Sequence, residues 1–221
     1  AIARQDGFRL ADLVAYDNKH NEKNGERNQD GNDYNYSWNC GIEGKTKKKA
    51  ILSLRMRQMK NAMTFVLLSQ GTPLLYSGDE FGNSQEGNNN PYCQDNPVCW
   101  IKWNSIKQGE ELLTYTKELI RLRKKYPVLH SRMPLRGMDY LPCGYPDISF
   151  HGKDAWRPDM GSGSRSLGIL YCTRYGASVE DIDDSFLYIG INMYWEPYTF
   201  GLPQMPKDKE WVRLFTTEEQ K

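Results

Sequence analysis

The sequence predicts an α/β front followed by an all-β tail, and three observations carry that expectation. Residues 46–68 and 110–126 place apolar side chains at helical spacing. Between them the short apolar run Gly71-Thr72-Pro73-Leu74-Leu75-Tyr76 leads to two adjacent carboxylates, Asp79 and Glu80. From about Leu129 onward, Gly, Pro and Asp punctuate short strand-like runs with no helical pattern. A boundary near 128–140 follows, with expected domains at 1–130 and 131–221.

The elements follow in order. Residues 16–44 lack sustained apolar periodicity and are crowded with Asn, Asp, Glu, Gly and aromatic residues. Structureless loops of that length are uncommon in compact domains, so the segment reads as a functional or disordered loop. Thr46 is placed to cap a helix running to about Leu68, on which Leu52, Met56, Met59, Met63 and Val66 step by four and three. This stripe reads as core packing rather than a cofactor box. Pro73 suits the first residues of a strand better than its centre. A second polar loop runs from Asn83 to Asn96. The helix from about Glu110 carries Leu112, Leu113, Leu119, Ile120 and Leu122 on one side, and Pro127 stops it. The tail is expected to form strands at 147–151, 167–174 and 186–191.

The order strand end, loop, helix, strand, loop, helix puts polar, carboxylate-bearing segments after strands. A (β/α)8 barrel or an open α/β sheet presents its site in that way. Only two such strands are present, and two parallel strands alone make neither a barrel nor a sheltered sheet.

Composition narrows the function. There are 29 basic and 28 acidic side chains, so no electrostatic footprint for nucleic acid or an anionic membrane is visible. The cluster Lys45, Lys47, Lys48 and Lys49 reads as a solvated helix start. No stretch approaches the ~18 apolar residues of a membrane span. Fourteen Tyr and six Trp suit ligands that are half apolar face and half hydroxyl, such as sugars, although Tyr also belongs in strands and composition alone favours that. Five Cys cannot all pair, none has C-x-x-C spacing, and only three His exist. No metal and no cofactor are therefore expected. Free thiols fit a reducing compartment, which makes a cytoplasmic location the expectation.

The segment Asp6-Gly7-Phe8-Arg9-Leu10-Ala11-Asp12 invites comparison with D-G-x-R-x-D, whose final Asp is the nucleophile of the α-amylase superfamily of glycoside hydrolases. Here Asp12 falls one residue late, and in a strand that shift turns a side chain to the other face. The flanking residues point elsewhere in the same superfamily. Asp6-Gly7-Phe8, Asp12-Leu13-Val14-Ala15-Tyr16, Lys19-His20-Asn21-Glu22, Asn24-Gly25-Glu26 and Asn35-Tyr36-Ser37-Trp38-Asn39-Cys40-Gly41 resemble the region after barrel strand seven in isoamylases and glycogen-debranching enzymes. Gln70-Gly71-Thr72-Pro73, Gly78-Asp79-Glu80-Phe81-Gly82 and Gly87-Asn88-Asn89-Asn90-Pro91-Tyr92-Cys93-Gln94-Asp95-Asn96 resemble strand eight and its loop. The similarity runs in order and spacing from about Asp6 to Leu129, and the β-rich tail fits the family's C-terminal sandwich more loosely.

The resemblance implies the last strand–helix elements, about strands seven and eight, of a (β/α)8 barrel followed by a C-terminal β-sandwich. It implies retaining hydrolysis of α-1,6 branch linkages in an α-glucan such as glycogen, amylopectin or a limit dextrin. Asp6 resembles the third carboxylate of that chemistry, which stabilises the oxocarbenium-like state. The nucleophile and general acid belong to strands four and five, expected before residue 1, so the chain alone is expected to be inactive. Gln5 stands where the family has His; it donates and accepts hydrogen bonds but carries no charge. Arg9 stands where Thr is usual. His20, Asn89, Asn90 and Tyr92 are the further substrate-binding candidates, set against loop bracing and turn chemistry. Asp79 and Glu80 read as loop anchors, and Trp38 as a sugar-stacking or rim-plugging ring.

Two rivals remain open. One is a non-catalytic α-glucan-binding module, favoured if Tyr171, Tyr188, Trp195 or Tyr198 form an exposed platform rather than core. The other is a piece of an α-amylase- or glucanotransferase-type enzyme. Exposed apolar helix faces, where a barrel would pack, imply association between copies.

Overall fold

The computed structural model describes residues 2–4, 6–176 and 184–218. The chain divides into two compact units, Ala1–Leu122 with Phe215–Lys221, and Arg123–Leu214.

The first unit is built on α1 (Leu10–Leu13), α2 (Lys49–Leu68) and most of α3 (Glu110–Lys125), joined by long loops. The buried line of α2 is Arg55, Met59, Met63 and Leu67, a strict step of four. This corrects the expected stripe: Leu52 is exposed, and Met56 and Val66 are only half-buried. Thr46 does not cap this helix either. Its hydroxyl accepts the Lys48 N–H at 3.2 Å in a turn before the helix, and the cap residue Lys48 has no side-chain capping bond. On α3, Leu112, Thr116 and Leu119 face inward, with the Thr116 hydroxyl donating to the Leu112 carbonyl at 2.8 Å. Glu110 and Glu111 at its start and Arg123, Lys124 and Lys125 at its end complement the helix dipole. Lys60 reaches Glu111 at 2.6 Å, and the Thr64 and Tyr115 hydroxyls meet at 2.8 Å, so α2 and α3 are linked. Gly109 allows close approach before α3, because a Cβ there would lie 2.0 Å from the Phe81 carbonyl oxygen.

Among the described residues, those at the chain start and at 71–76 do not form the expected barrel strands. A parallel strand exists only through a neighbour that takes its N–H and C=O groups, and neither segment has such a ladder among the described residues. Residues 79–81 instead form a single 3-10 turn between Gly78 and Gly82, both at positive φ.

The second unit holds one antiparallel sheet, ordered β1 (Ile148–His151), β2 (Ser166–Cys172) and β3 (Phe186–Asn192). The register sets Ile148 opposite Tyr171 and Leu170 opposite Tyr188. These strands fall close to the expected runs, except that β2 ends at Cys172 and turns into a 3-10 segment over Thr173–Gly176. Val128, Leu129, Leu170, Tyr171, Cys172 and Leu187 are buried in this unit. His151 is fully buried, accepts the Trp156 N–H on Nδ1 at 2.9 Å and meets the Ser149 hydroxyl through Nε2 at 2.9 Å. Burial holds its pKa below the usual histidine value, so the ring is neutral. A sandwich requires two sheets, and the described residues form a single three-stranded one.

Candidate functional site

Asp6 lies at the surface, 65% exposed at its side chain, with the Arg4 guanidinium 3.4 Å away. Gln5 lies outside the described residues. The next two motif residues turn inward. Arg9 is buried, donates to the Ser77 carbonyl at 2.5 Å, sits 3.7 Å from Asp79 and lies 4.1 Å over the Tyr76 ring. The arginine found in place of the usual threonine therefore has a physical role: it neutralises a carboxylate in the core. Asp79 also accepts the Leu10 N–H at 3.3 Å. Burial pushes its pKa up to about 7, against the pull of Arg9.

Asp12 is completely buried. It accepts the Ser84 hydroxyl at 2.5 Å and the Gln85 N–H at 2.7 Å, which anchors the second polar loop to α1. Burial raises its pKa to about 6, with those bonds opposing the rise. A carboxylate so enclosed is an anchor and not a nucleophile open to substrate.

The loops 16–44 and 83–96 are locked together by amides. Asn21 donates to the Asn89 side-chain oxygen at 2.8 Å and accepts the Asn89 N–H at 3.0 Å. Asn89 in turn donates to the Asn32 carbonyl at 2.7 Å and to Asn35 at 2.6 Å. Asn88 donates to Asn24 at 2.7 Å, and both Asn24 and Asn90 donate to Asp30, at 2.7 and 2.9 Å. Primary amides suit such a web because each offers both donors and an acceptor without a charge to desolvate. The packing leaves no room at Gly31, where a Cβ would fall 2.3 Å from the Asn89 oxygen.

Two charged groups close the web. Arg55, on α2, donates to the carbonyls of Gly44 at 2.7 Å and Asn39 at 2.9 Å, and also to that of Ile42. It thus gathers the end of the first loop onto the helix. Glu86 meets Lys45 at 2.9 Å, Lys23 at 3.1 Å and Lys102 at 3.6 Å. Hydrogen bonds from Lys45 and Lys23 hold its pKa down to about 2.

The structure separates the sequence-expected site residues. His20 is half-exposed, its Nε2 is 3.2 Å from Glu43, its N–H donates to the Gly87 carbonyl at 2.7 Å, and its ring stands edge-on to Tyr16 at 5.2 Å. Asn89 is 1% exposed and has its side-chain atoms engaged within the web, and Asn90 braces Asp30. Tyr92, by contrast, is 84% exposed. Tyr34, Tyr36 and Trp38 on the facing loop are exposed too, with Tyr34 and Tyr36 edge-to-face at 4.4 Å. Trp38 and Tyr92 were singled out within the sequence motifs, whereas Tyr34 and Tyr36 carried no expected role. Arg55 was hidden inside a methionine stripe, where its step of four from Met59 was the available signal. The hollow lined by Ile2, Leu10, Met63, Val66 and Leu75 is mostly apolar, with Tyr76 and Asp79 its polar side chains, and lacks the several converging polar groups of a sugar site.

No family model matches the chain. Among curated proteins, the "Glycogen operon protein GlgX homolog" of Mycobacterium tuberculosis (strain ATCC 25618 / H37Rv) is 36% identical over 232 aligned residues, covering 99% of this chain and 32% of the relative. "Isoamylase 1, chloroplastic" of Oryza sativa subsp. japonica is 34% identical, covering 93% of this chain and 24% of the relative. A solved structure of apo pullulanase from Paenibacillus barengoltzii aligns with a TM-score of 0.48 at 20% identity, covering 71% of this chain and 20% of that one. The sequence relatives place the chain in the α-amylase superfamily of glycoside hydrolases. Within it, the chain belongs to the isoamylase and glycogen-debranching family. It spans about a third of the length of the mycobacterial relative and about a quarter of the rice one.

Proposed function

We propose that this chain supplies the α-glucan-binding loops of a retaining α-1,6-glucosidase that debranches glycogen, amylopectin or limit dextrins. The observation that carries the reading is the amide web, which fixes two long polar loops as one surface and leaves Tyr34, Tyr36, Trp38 and Tyr92 exposed. Flat rings on a rigid polar frame suit the alternating apolar faces and hydroxyls of glucose units. Asp6 is the third carboxylate of the reaction, by its place in the family motif.

The chain by itself binds rather than cleaves. A retaining mechanism needs two carboxyl groups about 5–5.5 Å apart across the scissile bond. Asp12 and Asp79 are buried and engaged by backbone groups, so neither reaches a substrate. The test pairs two measurements on the purified chain. Retardation in native gels containing glycogen, lost in a Tyr36→Ala/Tyr92→Ala variant, is expected. Release of reducing ends from a branched glucan is not; release abolished by Asp6→Asn would overturn this part.

The second unit supports a smaller second reading, as an accessory glucan contact. Tyr171 is buried, but Trp195 is 82% exposed and stacked on Tyr194 at 4.2 Å. Retardation that survives the loop variant and is lost in Trp195→Ala would favour this reading.

A further inference from the structure

Two of the five cysteines lie together in the second unit, far apart in sequence. Cys143 sits in the loop before β1, and Cys172 ends β2. The Cys143 thiol folds back along its own loop, donating to the Tyr145 carbonyl at 3.3 Å and reaching the Tyr175 hydroxyl at 3.6 Å. Tyr175 lies in the turn that directly follows Cys172. The Cys172 N–H donates to the Asp147 carbonyl at 3.2 Å, which extends the β1–β2 ladder toward Cys143. The two thiols are side-chain neighbours within this frame. The loop is held in place around them. Asp139 accepts the Cys143 and Gly144 N–H groups at 3.0 and 2.8 Å and the Tyr175 hydroxyl at 2.7 Å.

We propose that Cys143 and Cys172 form an intramolecular disulfide on exposure to a small-molecule disulfide, stapling the 139–147 loop to the end of β2.

The chemistry balances in two exchanges. The Cys143 thiolate attacks one sulfur of the small disulfide, breaks its S–S bond and releases one thiolate. Cys172 then gives its proton to solvent, and its thiolate attacks the Cys143 sulfur, forming the internal bond and releasing the second small thiol. The two cysteines lose two electrons in total, and the small disulfide gains them. Exposure sets the order of the steps, because Cys143 is half-exposed and Cys172 is buried. Burial raises the Cys172 thiol to about 12. The second exchange is therefore the slower one and accelerates as pH rises.

The test incubates the full chain with oxidised glutathione, alkylates remaining thiols and maps peptides without reduction. A Cys143–Cys172 linked peptide is expected, while exposed Cys93 carries glutathione or the alkyl group. Closing a loop of about 30 residues is expected to raise the thermal midpoint of the second unit by roughly 10 °C, reversed by dithiothreitol. Cys143→Ser, at the half-exposed partner, keeps the fold and loses both the link and the shift. Glutathione retained on Cys143 with Cys172 still free, a link to any other cysteine, or a link without a shift in midpoint would overturn the proposal.

Discussion

Replacing Asp12 by Asn isolates the electrostatic cost of the anchor that holds the second loop. Asp12 is completely buried, and its pKa stands at about 6 against an ordinary 3.8. The folded state therefore holds a proton that the unfolded chain gives up, so stability is greatest below about pH 3.8 and is lost as pH rises through about 6. At about 1.4 kcal/mol per pH unit, the ionised carboxylate costs about 3 kcal/mol by neutral pH. Asn preserves the shape. Its oxygen can accept the Gln85 N–H, and its NH2 can donate to the Ser84 hydroxyl, which accepts as readily as it donates. Urea unfolding of both proteins between pH 4 and pH 7, followed by tryptophan fluorescence, reads the difference. The wild type is expected to lose about 2.5 kcal/mol more than Asp12→Asn across that range, most of the full cost. Parallel pH profiles would refute the assignment of this cost to Asp12.

Other predictions follow from the same geometry. Arg55→Met leaves several loop carbonyls without their cationic donor and should destabilise the first unit by about 3–5 kcal/mol, measured by chemical denaturation. Asn89→Ala strands Asn21, Asn32 and Asn35, so amide exchange in residues 20–35 and 87–91 should speed up while α3 stays protected. The second unit should show the opposite pH dependence to Asp12. His151 is buried neutral with its pKa held down, so stability there is full above the ordinary histidine value of about 6.5 and falls as pH drops below it. His151→Gln should flatten that fall in a pH-dependent melt.

Much of the fold was legible because its signals are local. The two long helices announced themselves by apolar spacing, and the three tail strands by short runs between turn residues. What failed was non-local. A strand at 71–76 needs a hydrogen-bonding neighbour, and no apolar pattern within the run can state whether one is present. Met59 and Met63 do lie on the inward line of α2, but Leu52, Met56 and Val66 do not, because an apolar pattern has no place for Arg55. Its guanidinium is buried only because the loop end curls over it to offer carbonyls. The site followed the same division. Asn88, Asn89 and Asn90 were visible as a cluster, but their partners lie more than fifty residues away in sequence. Spacing could flag these amides as special and could not tell bracing from binding. Arg9 appeared only as a departure from a motif; its meaning came from Asp79, seventy residues on.

The proposed function rests on the locked loops presenting an α-glucan surface through Tyr34, Tyr36, Trp38 and Tyr92. Hydrogen exchange with and without a branched maltooligosaccharide tests it directly. Slowed exchange is expected in residues 33–39 and 90–94, with the remainder of the first unit unchanged. Protection confined to residues 193–198, or no protection at saturating sugar, would contradict it.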